Sequence, residues 1–190
     1  MLRLAFASVV LLAATTAHAE RPDAEDPPPP PSPASTLADG PAYYVGGGAM
    51  LGIGSWIESA VVVDAGVRMP GRAGWLHGQF ASGGGGDFEG TGPLYRGLVG
   101  VENRCTGSDT CAIAGADVGY ELLTWNGDPG DMAEHHHGLV VAGRLGVDAG
   151  GDHVRFRAAF EVSMFHDHSE MTSASWGPDV AVSIGLAYRP

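Results

Sequence analysis

From residue 42 to the end of the chain, apolar residues alternate with charged or small residues, which is the two-residue period of a β-strand. In the clearest stretch, every second residue from Val180 to Tyr188 is apolar. Eight such stretches are present, at 42–53, 61–69, 73–81, 95–102, 114–122, 139–148, 154–164 and 180–189. An even number of strands with alternating long and short connections predicts an all-β fold, an eight-stranded antiparallel up-and-down barrel.

The two faces of the predicted strands differ in charge. The apolar faces carry no Asp, Glu, Arg or His, whereas the opposite faces carry six Arg and six acids: Arg68, Arg96, Arg144, Arg155, Arg157, Arg189, Asp64, Glu102, Asp117, Glu121, Asp148 and Glu161. An Arg facing lipid costs about 2–4 kcal/mol near the bilayer midplane, and an unpaired enclosed charge is costly too. The segregation therefore predicts a transmembrane barrel with apolar faces toward lipid and a closed lumen filled by Arg/acid pairs.

Composition narrows the function classes. The chain has 10 basic residues, all of them Arg, against 22 acidic residues, and a formal net charge of −12. This balance excludes non-specific binding of nucleic acid, which is itself anionic. Beyond the N-terminus no run of about 18 apolar residues occurs, so no transmembrane helix is predicted. The 30 glycines, spread through the alternating stretches, also disfavour helices.

The N-terminal part of the chain has a different character. Residues 1–19 combine a basic residue, a short apolar core and the small-x-small cleavage pattern of Ala17 to Ala19, as in a secretory signal peptide. Residues 20–41 are rich in proline, with an unbroken run at 27–31, and such a run lacks the backbone donors that a sheet needs. We predict a signal peptide at 1–19, a disordered Pro-rich periplasmic linker at 20–41 and an outer-membrane β-barrel at 42–190.

The lengths of the connections predict the orientation of the barrel. Those on one side lie at 70–72, 103–111 and 149–152, and those on the other at 54–57, 82–93, 124–137 and 166–178. Short turns face the periplasm and longer loops the outside in such barrels, so both termini are predicted to be periplasmic. Aromatic residues near strand ends predict two interfacial belts. One contains Tyr43, Trp75 and Tyr188, and the other Trp56, Phe80, Tyr95, Trp125, Phe165 and Trp176.

In this pattern, residues 42–190 resemble the small outer-membrane β-barrels of Gram-negative bacteria, the OmpA/OmpX-like transmembrane domains. The resemblance rests on strand number and alternation and not on a specific motif. It implies a location in the cell outer membrane, contact with outer-membrane lipid and lipopolysaccharide, and insertion by the barrel-assembly machinery. That machinery reads an aromatic residue at the end of such chains, whereas here Arg189 and Pro190 follow Tyr188.

The two cysteines lie in one predicted connection. In an exported protein, a pair such as Cys105 and Cys111 is most simply a disulfide, with a free pair or a metal site as the alternative. Two cysteines alone make a poor zinc site. We therefore predict a bridge that closes this connection.

Histidines occupy two neighbouring outer loops of the predicted barrel. His135, His136 and His137 end one loop, and His166 and His168 begin the next. The acidic neighbours are Asp131, Glu134, Asp167 and Glu170. Imidazole with carboxylate suits zinc or copper, but adjacent residues of an extended chain point in opposite directions, so the triplet alone makes no site.

The sequence thus predicts a non-enzymatic outer-membrane barrel with a structural or surface-interaction role. No catalytic, cofactor-binding or metal-ligating residue is assigned, and no cofactor is expected. The acidic outer loops predict divalent cations as partners; the acids are Asp87, Glu89, Asp128, Asp131, Glu134, Asp167 and Glu170. Three alternatives stay open: metal-binding His-rich outer loops, a lipid A-modifying enzyme using His166, His168, Ser169 and Glu170, and a soluble lipocalin-like barrel.

Overall fold

The computed structural model describes residues 43–69, 74–87, 90–104, 110–126, 134–168 and 175–190, except for the side chains of Trp125 and Ser175. The predicted signal peptide at 1–19 and linker at 20–41 lie outside these residues. The strands are β1 Tyr43–Ile53, β2 Ile57–Arg68, β3 Gly74–Gly86, β4 Thr91–Asn103, β5 Thr110–Trp125, β6 Glu134–Gly150, β7 Val154–Asp167 and β8 Ser175–Tyr188. Within the described ranges, no helix has the length and apolarity needed to cross a membrane.

The eight strands close into a barrel. Each strand pairs antiparallel with the next, and β8 pairs with β1 through partners such as Ala49 and Ile184. The predicted eight-stranded antiparallel up-and-down barrel is therefore confirmed. We call the end that carries Tyr43 and Tyr188 the terminal end, and the opposite end, where β1 turns into β2, the distal end.

The strands are longer than the alternation predicted. They reach 17 residues in β6, and β3 continues as far as Gly86. The histidines at 135–137, predicted in a loop, are paired in the sheet with residues 122–124 of β5. The prediction was wrong at these ends because backbone hydrogen bonds sustain a ladder where side chains no longer alternate between apolar and polar.

The side chains are sorted with the apolar face outward. Val182, Phe156 and Leu145 are 51%, 49% and 64% exposed on the outer surface, whereas Arg144 and Arg155 are 4% and 3% exposed. The predicted outward orientation of the apolar faces is confirmed. A soluble lipocalin-like barrel, which needs a polar exterior, does not fit this arrangement.

Two members of the predicted aromatic belts are buried inside the barrel, and a third, Trp56, is partly buried against the inner apolar cluster and His136. Trp75 is fully buried against Tyr44, and Phe165 is buried beside Leu98 and Val140. Both occupy the inward parity of their strands, two residues from the buried His77 and Ser163, so position near a strand end was not enough to place them. Among the side chains that the structure describes, the outward-facing aromatic residues are Tyr43, Phe80, Tyr95, Tyr120, Phe156, Phe160, Trp176 and Tyr188.

Glycine is required at a connection on each end. At the terminal end, Gly150 has a φ of 142°, which L side chains rarely adopt, and it leads into the short β6–β7 connection. At the distal end, a Cβ on Gly54 would lie 1.5 Å from Asp179 Oδ1. The missing side chain lets that carboxylate accept a hydrogen bond from the Ser55 backbone N–H at 2.9 Å.

Candidate functional site

The distal half of the lumen is organised around Arg96 of β4. Its Nε donates to Glu121 Oε2 at 2.5 Å, Nη1 to Glu161 Oε1 at 3.0 Å and Nη2 to Glu58 Oε2 at 3.3 Å. All four side chains are buried. A single guanidinium therefore offsets three enclosed carboxylates, each of which would be costly without a counter-charge.

Apolar side chains surround this cluster. Leu94 and Leu123 are fully buried on β4 and β5, and Met50 of β1 packs with them. The Met50 sulfur lies 4.0 Å from Arg96 Nη1. These apolar side chains separate the ion pairs from solvent, and the low local dielectric strengthens each electrostatic contact.

Arg144 of β6 occupies the middle of the lumen. Its Nη2 lies 3.2 Å from Asp117 Oδ2 and 3.1 Å from Glu161 Oε2, and it donates to Gln79 Oε1. His77 Nε2 lies 2.7 Å from the other Asp117 oxygen. Because Glu161 contacts both Arg144 and Arg96, the middle and distal groups form one network.

The terminal half of the lumen is rich in Arg. Arg104 Nε donates to Glu102 at 2.5 Å, while Arg155 and Arg189 donate to the two oxygens of Asp148 at 2.5 and 2.7 Å. Arg104 Nη1 also lies 3.7 Å from Asp148. Burial lowers the pKa of the Arg189 guanidinium, and the Asp148 carboxylate opposes that change. Several cations share few carboxylates here, the reverse of the distal half.

An aromatic pair supports these arginines. The Tyr44 hydroxyl donates a hydrogen bond to Glu102 Oε1 at 2.8 Å, and the centres of the Tyr44 and Trp75 rings are 5.7 Å apart. The guanidinium carbons of Arg104 and Arg157 lie 3.7 and 5.0 Å from the centre of the Tyr44 ring. The ring face thus offers a second stabilising contact to cations that carboxylates only partly neutralise.

The lumen contains a small cavity. It is lined by Asp64, Gln79, Arg144 and Arg157, among others, and measures about 30 Å³. Arg157 Nη1 is hydrogen-bonded to Asp64 Oδ2 across it. This volume suits about one water molecule, so the cavity does not form a solute-sized pocket.

Sequence reasoning missed three charged residues of the lumen. Glu58, Arg104 and Asp179 are 2%, 3% and 3% exposed, but they fell in predicted connections or at the edge of a predicted strand. Each continues the inward parity of a strand: Glu58 with Asp64, Arg104 with Glu102, and Asp179 with Ala181. Extending the two-residue period past the last apolar residue would have found them.

The histidine triplet is divided by the pleat of β6. His136 points into the barrel, where Nδ1 lies 2.9 Å from Asp167 Oδ2 and Nε2 lies 3.6 Å from Glu134 Oε1. Its ring packs 4.6 Å from the ring of Trp56. His136 is therefore enclosed by a structural network at the distal mouth of the lumen.

The other four histidines at the distal end face outward. His137 Nδ1 lies 2.6 Å from the Tyr120 hydroxyl, and His166 Nδ1 lies 2.8 Å from His168 Nε2. Among the residues that the structure describes, no group of three or more His, Cys, Asp or Glu side chains is arranged to hold a metal ion. The structure brings His137, His166 and His168 together and keeps His136 apart.

Several candidates cannot be placed. Cys111 is buried at the start of β5, whereas Cys105 lies outside the described residues, so the disulfide stays a prediction. Ser169 and Glu170 of the lipid A hypothesis also lie outside them. The remaining predicted loop acids outside the described ranges are Glu89, Asp128 and Asp131.

The comparisons with known proteins concern the fold. No protein-family model matches the sequence, and no curated protein matches it significantly. Among solved structures, Neisserial surface protein A (NspA) is 13% identical, with 78% of this chain and 97% of that chain covered and a TM-score of 0.62. The chain has the fold of a small outer-membrane barrel. The resemblance to that class predicted from the alternation is thereby confirmed.

Two further structures match with lower TM-scores. The N-terminal β-barrel domain of OprF from Pseudomonas aeruginosa is 11% identical over 77% of this chain and 99% of that chain, with a TM-score of 0.47. A major outer membrane protein from Thermus thermophilus is 13% identical over 78% of this chain and 100% of that chain, with a TM-score of 0.45.

Proposed function

We propose that this protein is a non-enzymatic barrel of the outer membrane with a structural or surface-interaction role. The observation that supports this proposal most directly is the apolar outer surface of the barrel. On β7, alternate outward residues from Val154 to Met164 carry no charge. The ten residue-to-residue steps from Val154 to Met164, at about 3.4 Å each, give about 34 Å along the strand. At a tilt of about 45° this corresponds to about 24 Å, close to the apolar band of such barrels.

A closed lumen is part of this proposal. The supporting contacts are the buried ion pairs of Arg96, Arg144 and Arg155, together with a cavity of about 30 Å³ in the middle. An eight-stranded barrel is just wide enough for side chains to fill it. The protein would then stabilise the membrane or present a surface, and it would not conduct solutes as a wide porin does.

The proposed orientation places both termini in the periplasm and the distal end outside. Outer-membrane lipid and lipopolysaccharide would surround the apolar surface, and the barrel-assembly machinery would insert the chain. The outward residues at the distal end include Asp87 but no Arg in the described part of the chain. Divalent cations are the expected partners of the acidic outer loops, because carboxylate oxygens are the ligands that Mg²⁺ and Ca²⁺ prefer.

The membrane placement is tested by substituting the outer surface. Leu145→Arg places a charge in the middle of the apolar band and should cost about 2–4 kcal/mol. The matched control is Asp152→Arg, because Asp152 is exposed in the β6–β7 connection outside that band. The measurements are recovery in outer-membrane fractions and the mobility difference between unboiled and boiled protein on a detergent gel. A water-soluble product indifferent to detergent would overturn the proposal.

The closed lumen is tested by conductance. The purified protein in planar lipid bilayers should give no steady porin-like current. A large stable conductance from folded, heat-modifiable protein would refute lumen closure while leaving the membrane placement intact.

A further inference from the structure

A pair of histidines lies on the outer surface at the distal end of β7. His166 and His168 are two residues apart, so the pleat turns both side chains to the same side. His166 Nδ1 and His168 Nε2 are hydrogen-bonded to each other at 2.8 Å, a bond that a metal ion would replace. Two nitrogens bound to one metal at about 2.0 Å and at a right angle would be about 2.8 Å apart. The spacing fits adjacent corners of a square-planar ion, the geometry that Cu(II) favours.

A third imidazole adjoins this pair from the neighbouring strand. His137 of β6 is directly opposite His168, whose backbone N–H donates to the His137 carbonyl at 2.9 Å. The two rings are 6.3 Å apart. Since the Tyr120 hydroxyl engages His137 Nδ1 at 2.6 Å, the nitrogen left for a metal is Nε2. Such a partner on the second nitrogen is how metal-binding histidines are usually oriented.

The described residues around the histidine pair pack against the His166 ring and carry no positive charge that would repel a cation. The His166 ring packs edge-on against Trp176, with 4.6 Å between ring centres. In the described part of the chain, the arginines lie in the lumen or toward the terminal end, and the sequence has no lysine. A metal ion at the distal rim would therefore meet aromatic rings and a protein with a net charge of −12.

We propose that His166 and His168 form a two-histidine surface site for a divalent transition metal, which His137 joins as a third ligand when the ion binds. Imidazole ligands select ions such as Cu(II), Ni(II) and Zn(II) over Mg²⁺ and Ca²⁺, and Cu(II) binds most tightly of these. In the metal-bound form, His166 Nδ1 and His168 Nε2 both give lone pairs. Each neutral ring then keeps its single N–H on the other nitrogen. The site is independent of the structural role proposed above.

The test uses the protein purified in detergent micelles without a polyhistidine tag. Titration with Cu(II) by calorimetry should show one tight site per chain, and its electron paramagnetic resonance spectrum should show nitrogen ligands. His166→Ala and His168→Ala should each weaken binding at least tenfold, and the double variant should abolish the tight site. Tight binding that survives the double substitution would overturn the proposal, as would no tight binding by the unaltered protein.

Two matched controls separate this site from other histidines. His135→Ala changes another outward histidine of β6, which contacts Thr124 instead of the pair, and His153→Ala changes one at the terminal end. Both variants should bind Cu(II) within twofold of the unaltered protein. A loss in either equal to that of His168→Ala would count against the assignment. The unboiled-against-boiled gel shift establishes that each variant is folded.

The contribution of His137 has its own readout. His137→Ala should weaken Cu(II) binding several-fold and remove one nitrogen from the resonance spectrum. Tyr120→Phe should cause a smaller loss because it removes only the hydroxyl that orients the ring. An unchanged spectrum in His137→Ala would remove His137 from the ligand set.

Discussion

The two halves of the lumen balance charge in opposite ways. In the distal half, one guanidinium, that of Arg96, meets three carboxylates among buried leucines. In the terminal half, Asp148 is shared by Arg155, Arg189 and Arg104, with an aromatic ring beneath the last of these. Two of the three distal carboxylates, Glu58 and Glu121, therefore depend on Arg96, whereas Asp148 keeps two arginines when one is removed.

This difference decides where a substitution is most damaging. Removing one partner of a buried ion pair is expensive because the other is left enclosed without compensation. The penalty is smaller where a second counter-charge remains in contact. We therefore expect the stability lost on substituting a lumen arginine to depend on how many other cations its carboxylate partners still contact, and not on burial alone.

The largest effect is expected from Arg96→Met. It leaves Glu58 and Glu121 buried without the cation that pairs with them, while Glu161 keeps Arg144 at 3.1 Å. The substitution should cost about 3–5 kcal/mol. The measurement is urea unfolding in lipid vesicles, followed by tryptophan fluorescence. Arg96→Lys is the matched control, since it keeps a cation but loses the planar fork, and it should cost less. Equal losses in both variants would show that charge balance is not what Arg96 supplies.

A smaller effect is expected at the terminal end from Arg155→Ala. Asp148 keeps Arg189 at 2.7 Å and Arg104 at 3.7 Å. The substitution also removes donors to the backbone carbonyls of Asp148, Gly150 and Gly151. Because the Asp148 carboxylate stays compensated, the loss should be about 2–3 kcal/mol, still below that of Arg96→Met. The same unfolding assay compares it directly with Arg96→Met. If Arg155→Ala lowered the free energy of unfolding as much as Arg96→Met or more, the two halves of the lumen would not differ in the way proposed.

The smallest effect is expected from Tyr44→Phe. The substitution removes the hydroxyl that donates to Glu102 but keeps the ring beneath Arg104. Because Arg104 still donates to Glu102 at 2.5 Å, the cost should be about 1 kcal/mol. Tyr44→Leu, which also removes the ring, should cost more in the same assay. Equal losses would assign the whole contribution of Tyr44 to its hydroxyl.

Much of the fold was predictable from local pattern. Strand number and outward parity follow from period-2 alternation, because a one-residue shift would move every apolar side chain of a strand to the wrong face. The strand ends were not predictable in the same way. Residues such as Gly86 and His135 are held by backbone pairing with neighbours, and that pairing needs no hydrophobic signal.

The candidate metal site shows the same limit. Sequence drew attention to all five distal histidines and placed them in outer loops. The structure divides them, with His136 inside against Asp167 and His137 outside against His168. That division depends on β6 starting at Glu134 and on its register with β7, which is set between strands distant in sequence.

By itself, the sequence determined that this chain forms eight strands and which side of each faces outward, because alternation is a property of one strand alone. Only the tertiary structure decided which charges meet. Arg96 and Glu161 are 65 residues apart, and closure of the ring brings them within 3.0 Å. The partners of a lumen side chain are fixed by strand stagger across the barrel, a quantity that no single strand contains.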